Sequence, residues 1–133
     1  MTSEIIYQGK LRTQAVHLKS STEIITDAPV DNQGNGQAFS PTDLVATALA
    51  SCALTIMGIA ANNHDINMDG TKARVLKIMG SNPRRISEVQ IDFDLTNRTY
   101  TSKEKKILQQ AAITCPVAKS LDSTLVQQMK FHW

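Results

Sequence analysis

The longest apolar stretch of the chain, residues 44–61 (LVATALASCALTIMGIAA), runs for eighteen positions without a charge. That length reaches the threshold for a membrane span. Thr47, Ser51, Thr55 and Gly58 interrupt it, six positions are Ala, and no Lys/Arg flank or aromatic belt follows. The pattern therefore predicts a helix that is apolar all round because it is buried all round, and no membrane association. In so small a domain a sheet covers one side of such a helix, and a partner subunit is the simplest cover for the other. Ser40-Pro41-Thr42-Asp43 marks the start: Ser40 suits the N-cap, Pro41 the first helical position, and Asp43 closes a capping box. The helix is expected to run to about Asn62-Asn63, roughly 33 Å at 1.5 Å per residue.

The flanking segments read as strands and shorter helices. Residues 12–18 (RTQAVHL) and 22–26 (TEIIT) carry β-branched residues, with Lys19-Ser20-Ser21 as the turn between them. Residues 27–39 hold Pro29, Gly34 and Gly36 and read as a loop; Gly34-Asn35-Gly36 does not complete a phosphate-binding fingerprint. Met68 to about Gly80 predicts a strand, and Ser81-Asn82-Pro83 a turn. Val89, Ile91, Phe93 and Leu95 then alternate with Gln90, Asp92 and Asp94, as in an antiparallel sheet covered on one face. Thr101-Ser102-Lys103-Glu104 is a second capping box, followed by Ile107, Leu108, Ala111, Ala112 and Cys115 at helical spacing. Pro116 ends that helix and starts another, and residues 125–133 close as a strand. Strands, long helix, strands, helices, strand is an α+β order.

Composition narrows the function. At 133 residues the chain is one domain's worth, 1–133, and 41% hydrophobic content is enough to fold. Fourteen Lys+Arg against twelve Asp+Glu leave +2, with 5% aromatics and no basic stripe interleaved with them. Nucleic acid is therefore not expected as a partner. Residues 1–12 lack a hydrophobic stretch with a cleavage site and carry Glu4 where a basic segment would be, so the expected compartment is the cytoplasm. His17, His64 and His132 are scattered, and no metal motif, nucleophile elbow or paired-carboxylate signature occurs. No metal or organic cofactor is expected.

Two cysteines remain, Cys52 and Cys115. Two thiols 63 positions apart make neither a disulfide scaffold nor an all-thiolate zinc site. A free cysteine is commonly a small buried hydrophobe, and becomes reactive only beside a positive charge or a helix N-terminus. Cys115 precedes Pro116 and can cap the following helix, whereas Cys52 lies in mid-helix. Local position alone thus nominates Cys115 as the stronger acid and leaves inert thiols open.

Ser40-Pro41-Thr42-Asp43-Leu44, Ala48-Leu49-Ala50-Ser51-Cys52 and Cys115-Pro116-Val117-Ala118-Lys119-Ser120-Leu121 resemble the osmotically inducible protein C / organic hydroperoxide resistance (OsmC/Ohr) superfamily, in its OsmC-like branch. The resemblance implies an intertwined α+β homodimer, its antiparallel sheets wrapped around long central helices, with active sites at the subunit interface. It implies a cysteine-based peroxidase for organic hydroperoxides, with Cys52 peroxidatic and Cys115 resolving through a Cys52–Cys115 disulfide. A dithiol reductant, lipoyl-type or another thiol donor, would restore the thiols. It further implies an activating arginine from the N-terminal strands and a carboxylate that orients it. Arg12 is the only arginine before the long helix, with Lys10 close by, and Asp43 matches the acidic position of this branch. Asp43 equally suits the capping box alone. Nine residues along a helix turn about 900°, placing Asp43 and Cys52 on opposite faces; if Asp43 serves the Cys52 site, it comes from a second subunit. The alternative function is a non-peroxidase dimer that binds a small apolar or thiol ligand and uses its cysteines for sensing.

Overall fold

A computed structural model describes residues 1–133. Its contacts divide the chain into two compact parts, residues 1–45 and 46–133. The first part is an antiparallel meander of β1 (Ser3–Gly9), β2 (Arg12–His17) and β3 (Glu23–Asp27). The strands at 12–18 and 22–26 are where the pattern places them. β1 is an addition: Ile5, Ile6 and Tyr7 follow one another without alternation, so no one-sided period announces a strand. Both faces of β1 are exposed in the single chain, at 59% for Ile5, 55% for Ile6 and 65% for Tyr7. No apolar side chain of residues 1–45 is buried; Thr26, Asp27 and Ser40 are.

The helix α1 (Pro41–Asn63) has the predicted limits. Its start is a reciprocal box: the Ser40 N–H donates to Asp43 Oδ2 at 2.9 Å and the Asp43 N–H donates to Ser40 Oγ at 3.1 Å. Within one chain α1 is not buried all round. Ala46, Leu49, Ala50, Ala53, Met57 and Ala61 are buried along one face, while Val45, Ala48, Ser51, Thr55 and Ile59 lie exposed along the opposite one. Absence of charge along residues 44–61 does not by itself say which face this chain covers.

Residues 46–133 contain the core. β4 (Lys72–Gly80), β5 (Arg85–Asp94) and β6 (Val126–His132) form a three-stranded sheet in that order. The alternation is realised: Val89, Ile91, Phe93 and Leu95 are at most 1% exposed. They join α1's buried face and Leu108 and Ala112 of α2 (Ser102–Ile113) in one cluster. Phe131 stacks on Phe93 at 5.0 Å and Trp133 on Phe131 at 5.9 Å. The sheet is not wholly antiparallel as expected, since β6 pairs parallel to β5. A parallel neighbour needs a crossover, and α2 with α3 (Pro116–Ser120) supplies it. Thr101 caps α2 with the full box to Glu104.

Candidate active site

The two thiols meet in the second part of the chain. Cys52 sits on the flank of α1, between its buried and exposed faces, and is half-buried. Cys115 is fully buried in the loop between α2 and α3. Both are free, and they are near enough that Cys52 acts on the titration of Cys115. The helices converge because Leu108, Ala112 and Cys115 extend one apolar stripe of α2 into the cluster that holds α1.

Cys115 caps α3 as its sequence position suggested, accepting from the Ala118 N–H at 3.4 Å. The acidity expected from that position does not follow. Burial pushes the Cys115 thiol up; the backbone N–H groups of Ala118 and Val117 pull it down, and the neighbouring Cys52 pushes it up further. Desolvation of a thiolate outweighs one turn of helix. Cys115 is therefore a weaker acid than its place at the helix start suggested.

In the first part of the chain the arginine is strongly held. Arg12 Nε donates to Asp27 Oδ1 at 2.7 Å and Nη2 donates to Asp27 Oδ2 at 2.8 Å, a side-on bidentate pair. Nη2 also donates to Gln37 Oε1 at 3.1 Å, and the Gln37 N–H donates to Asp27 Oδ2 at 3.1 Å. Arg12 holds the Asp27 carboxyl below its ordinary range, against the opposing effect of burial, with help from the Gln37 and Ala38 N–H groups. Asp27 in turn raises the Arg12 guanidinium.

The expected role of Asp43 is one played from a second subunit; within the chain the carboxylate on Arg12 is Asp27. The reason is register: Arg12 and Asp27 are direct cross-strand partners, so their side chains leave the same face a few ångströms apart. Asp43 is occupied at the start of α1. Sequence reasoning missed Asp27 and Gln37, although fixing the hairpin turn at 19–21 sets Arg12 opposite the end of the next strand. The structure brings Cys52 to Cys115, and Arg12 to Asp27 and Gln37. The histidines are exposed, His17 against Ser20 and His132 against Asp92.

A long helix uncharged over residues 44–61 and carrying one thiol, a second thiol buried near it, and two three-stranded sheets make up an α+β protein of the OsmC/Ohr kind. A profile of the OsmC-like protein family matches residues 34–129, and the chain belongs to that family. It is similar to the solved structure of a candidate osmotic stress induced and detoxification response protein from Psychrobacter arcticus 273-4. The two are 55% identical with a TM-score of 0.96, over 99% of this chain and 96% of that one. An organic hydroperoxide resistance protein OsmC from Legionella pneumophila, also described as a predicted redox protein and regulator of sulfide bond formation, shares the fold. Its TM-score is 0.79 at 15% identity, over 100% of this chain and 98% of that one. The organic hydroperoxide resistance protein OhrB of Bacillus subtilis has a TM-score of 0.70 at 15% identity, over 99% and 98%. Comparison with curated proteins produced no match.

Proposed function

We propose that the protein is a homodimeric thiol peroxidase that reduces organic hydroperoxides. The observation that carries this reading is the thiol pair: a half-buried free Cys52 beside a buried free Cys115. The family supports a redox or peroxide-resistance role, and the names of the Legionella and Bacillus proteins point to organic hydroperoxides.

The chemistry balances on these residues. The Cys52 thiolate attacks the distal oxygen of ROOH, the O–O bond breaks, and RO⁻ leaves as ROH after taking a proton. Sulfur is oxidised to the sulfenic acid Cys52–SOH. The Cys115 sulfur then attacks Cys52, forming the disulfide as hydroxide leaves with Cys115's proton as water. A dithiol donor reduces the bridge and is itself oxidised to a disulfide. Arg12 supplies positive charge to the thiolate and to the leaving oxygen at a site completed at the subunit interface. Asp43 serves by fixing the start of the helix that carries Cys52. Of the apolar side chains Leu49, Ile56 and Met57 on that helix, Leu49 and Met57 are fully buried in the core, and Ile56 is left to meet an alkyl group.

Exposed surface supports the dimer. Ile5, Ile6 and Tyr7 in β1 and Val45 and Ile59 on α1 are apolar and open in the single chain. Apolar side chains left open to water in this number are candidates for an interface. The same partner removes α1, long and apolar enough to cross a membrane by length and composition, from water.

A pulse of cumene hydroperoxide followed by intact mass tests the proposal. The wild type is expected to lose about 2 Da as the disulfide forms, and Cys115→Ser to gain about 16 Da as a dimedone-reactive sulfenic acid. Thiols that stay reduced while a control peroxidase reacts would refute it, and would favour a dimer that binds a small apolar or thiol ligand.

A further inference from the structure

The core-facing side of β6 carries one residue that its pattern does not explain. Gln127, Met129 and Phe131 are half-buried, while Val126, Gln128, Lys130 and His132 are exposed. Met129 and Phe131 pack against the hydrophobic cluster, as does Leu125 just before the strand. Gln127 thus stands on an apolar face, paired across the sheet with the fully buried Val89 of β5. An amide in such a place costs stability unless it finds a hydrogen-bond partner.

The partner belongs to α3. Gln127 Nε2 donates to the Ala118 carbonyl at 3.0 Å. The N–H of that same Ala118 donates to Cys115 Sγ at 3.4 Å. One residue of α3 is therefore tied on one side to the sheet and on the other to the sulfur. A helix of five residues cannot hold itself in place. Within it the Lys119 N–H donates to the Cys115 carbonyl at 3.2 Å, and the Ser120 Oγ donates to the Pro116 carbonyl at 2.9 Å. The carbonyls near its end need donors from outside, and for Ala118 that donor is Gln127.

We propose that Gln127 is the positioning residue for the resolving thiol: by holding the Ala118 carbonyl it fixes the first turn of α3, whose N–H groups hold the Cys115 sulfur beside Cys52. This rests on the peroxidase reading above, in which Cys115 attacks Cys52–SOH. In that step the S–S bond forms, the S–O bond breaks, and hydroxide leaves as water with the Cys115 proton. Negative charge gathers on the Cys115 sulfur as its proton departs. The Ala118 and Val117 N–H groups, which pull this thiol down against its burial, meet that charge. Gln127 acts through the turn and needs no contact with either sulfur. Methionine at 127 would keep the bulk and supply no donor, and glutamate would offer a carbonyl only acceptors.

The test compares Gln127→Met, Gln127→Glu and Gln127→Asn with the wild type in the full-length protein. Three quantities are read. The first is the rate at which cumene hydroperoxide turns Cys52 into a dimedone-reactive sulfenic acid, in a Cys115→Ser background. The second is the rate of disulfide closure, by acid quench and intact mass. The third is the Cys115 13Cβ resonance against pH, in a Cys52→Ser background that removes the other thiol acting on it. Gln127→Met is expected to leave sulfenic acid formation within about 2-fold of the wild type and to slow closure about 10-fold by misplacing the attacking sulfur. The Cys115 titration midpoint should rise as the N–H groups drift from the sulfur. Gln127→Glu should close at least as slowly as Gln127→Met. A folded Gln127→Met that closes at the wild-type rate or faster, an unmoved Cys115 titration, or equal slowing of both steps would each overturn the proposal. If Gln127→Met does not fold, Gln127→Asn decides: closure slowed about 2- to 10-fold with sulfenic acid formation unchanged supports it, and unchanged closure overturns it. Failure of the underlying reading looks different, because then no disulfide forms in any variant, the wild type included, and the proposal falls with it.

Discussion

Replacing Ile59 by Ala measures how much the exposed face of α1 contributes to subunit association. Ile59 is 52% exposed in the single chain. Complete burial of such a side chain is worth about 1.5–3 kcal/mol, so the half still open leaves about 0.75–1.5 kcal/mol for a partner to bury. A two-fold interface uses the position twice, once from each subunit. The loss is then about 1.5–3 kcal/mol per dimer, or roughly 10- to 150-fold in the dissociation constant at 1.4 kcal/mol per decade. Ile59→Asp adds desolvation of two carboxylates and is expected to exceed that range. Sedimentation equilibrium over a concentration series reads both variants against the wild type, and the unfolding midpoint should become steeper in its concentration dependence. An Ile59→Asp protein that dimerises as tightly as the wild type, or a wild type that stays monomeric at micromolar concentration, would refute the reasoning.

Other consequences follow from single positions. Leu108→Ala empties a fully buried site between α2 and the sheet and should lower unfolding stability in urea by about 2–5 kcal/mol. Thr101→Ala removes the α2 cap and should cost about 1 kcal/mol in the same measurement. Because the folded Cys115 thiol is raised, its proton is held more tightly in the folded state than in the unfolded one. Its contribution to stability is whole below the unfolded value of about 8.5 and declines as pH rises through the folded value above it. Cys115→Ala should flatten the alkaline fall in a thermal melt series. For Asp27 the sign is opposite, since its folded carboxyl is lowered. Its contribution is present above about 3.9 and lost as pH falls through the folded value below it, so the melting difference between wild type and Asp27→Asn should close on acidification.

Most of the architecture was readable because local rules and tertiary packing agree there. The limits of α1 follow from Ser40-Pro41-Thr42-Asp43 and the last apolar turn. β5 follows from an alternation that survives folding, and α2 from its capping box. β1 was not readable, because Ile5-Ile6-Tyr7 lacks a one-sided period. β6 was readable as a strand but not as a parallel one: a strand's direction relative to its neighbour depends on the route of the intervening chain, not on its own residues. At the site, motif spacing singled out Cys52 and Cys115 without showing that they touch. Arg12 was reachable as the lone early arginine, whereas Asp27 needed the hairpin register.

The sequence by itself determined which residues could become helix and strand, and which two carried sulfur. Those properties are local, written in caps, periods and residue types a few positions apart. Only the tertiary structure decided that burial weakens the acidity of a thiol at a helix N-terminus, that one at mid-helix lies beside it, and that Arg12 pairs with Asp27 within the chain. Each of these depends on burial and on contacts between residues distant along the chain. Desolvation reversed the acidity expected of Cys115, and cross-strand pairing chose Asp27 for Arg12, because both are set by what surrounds a group in space.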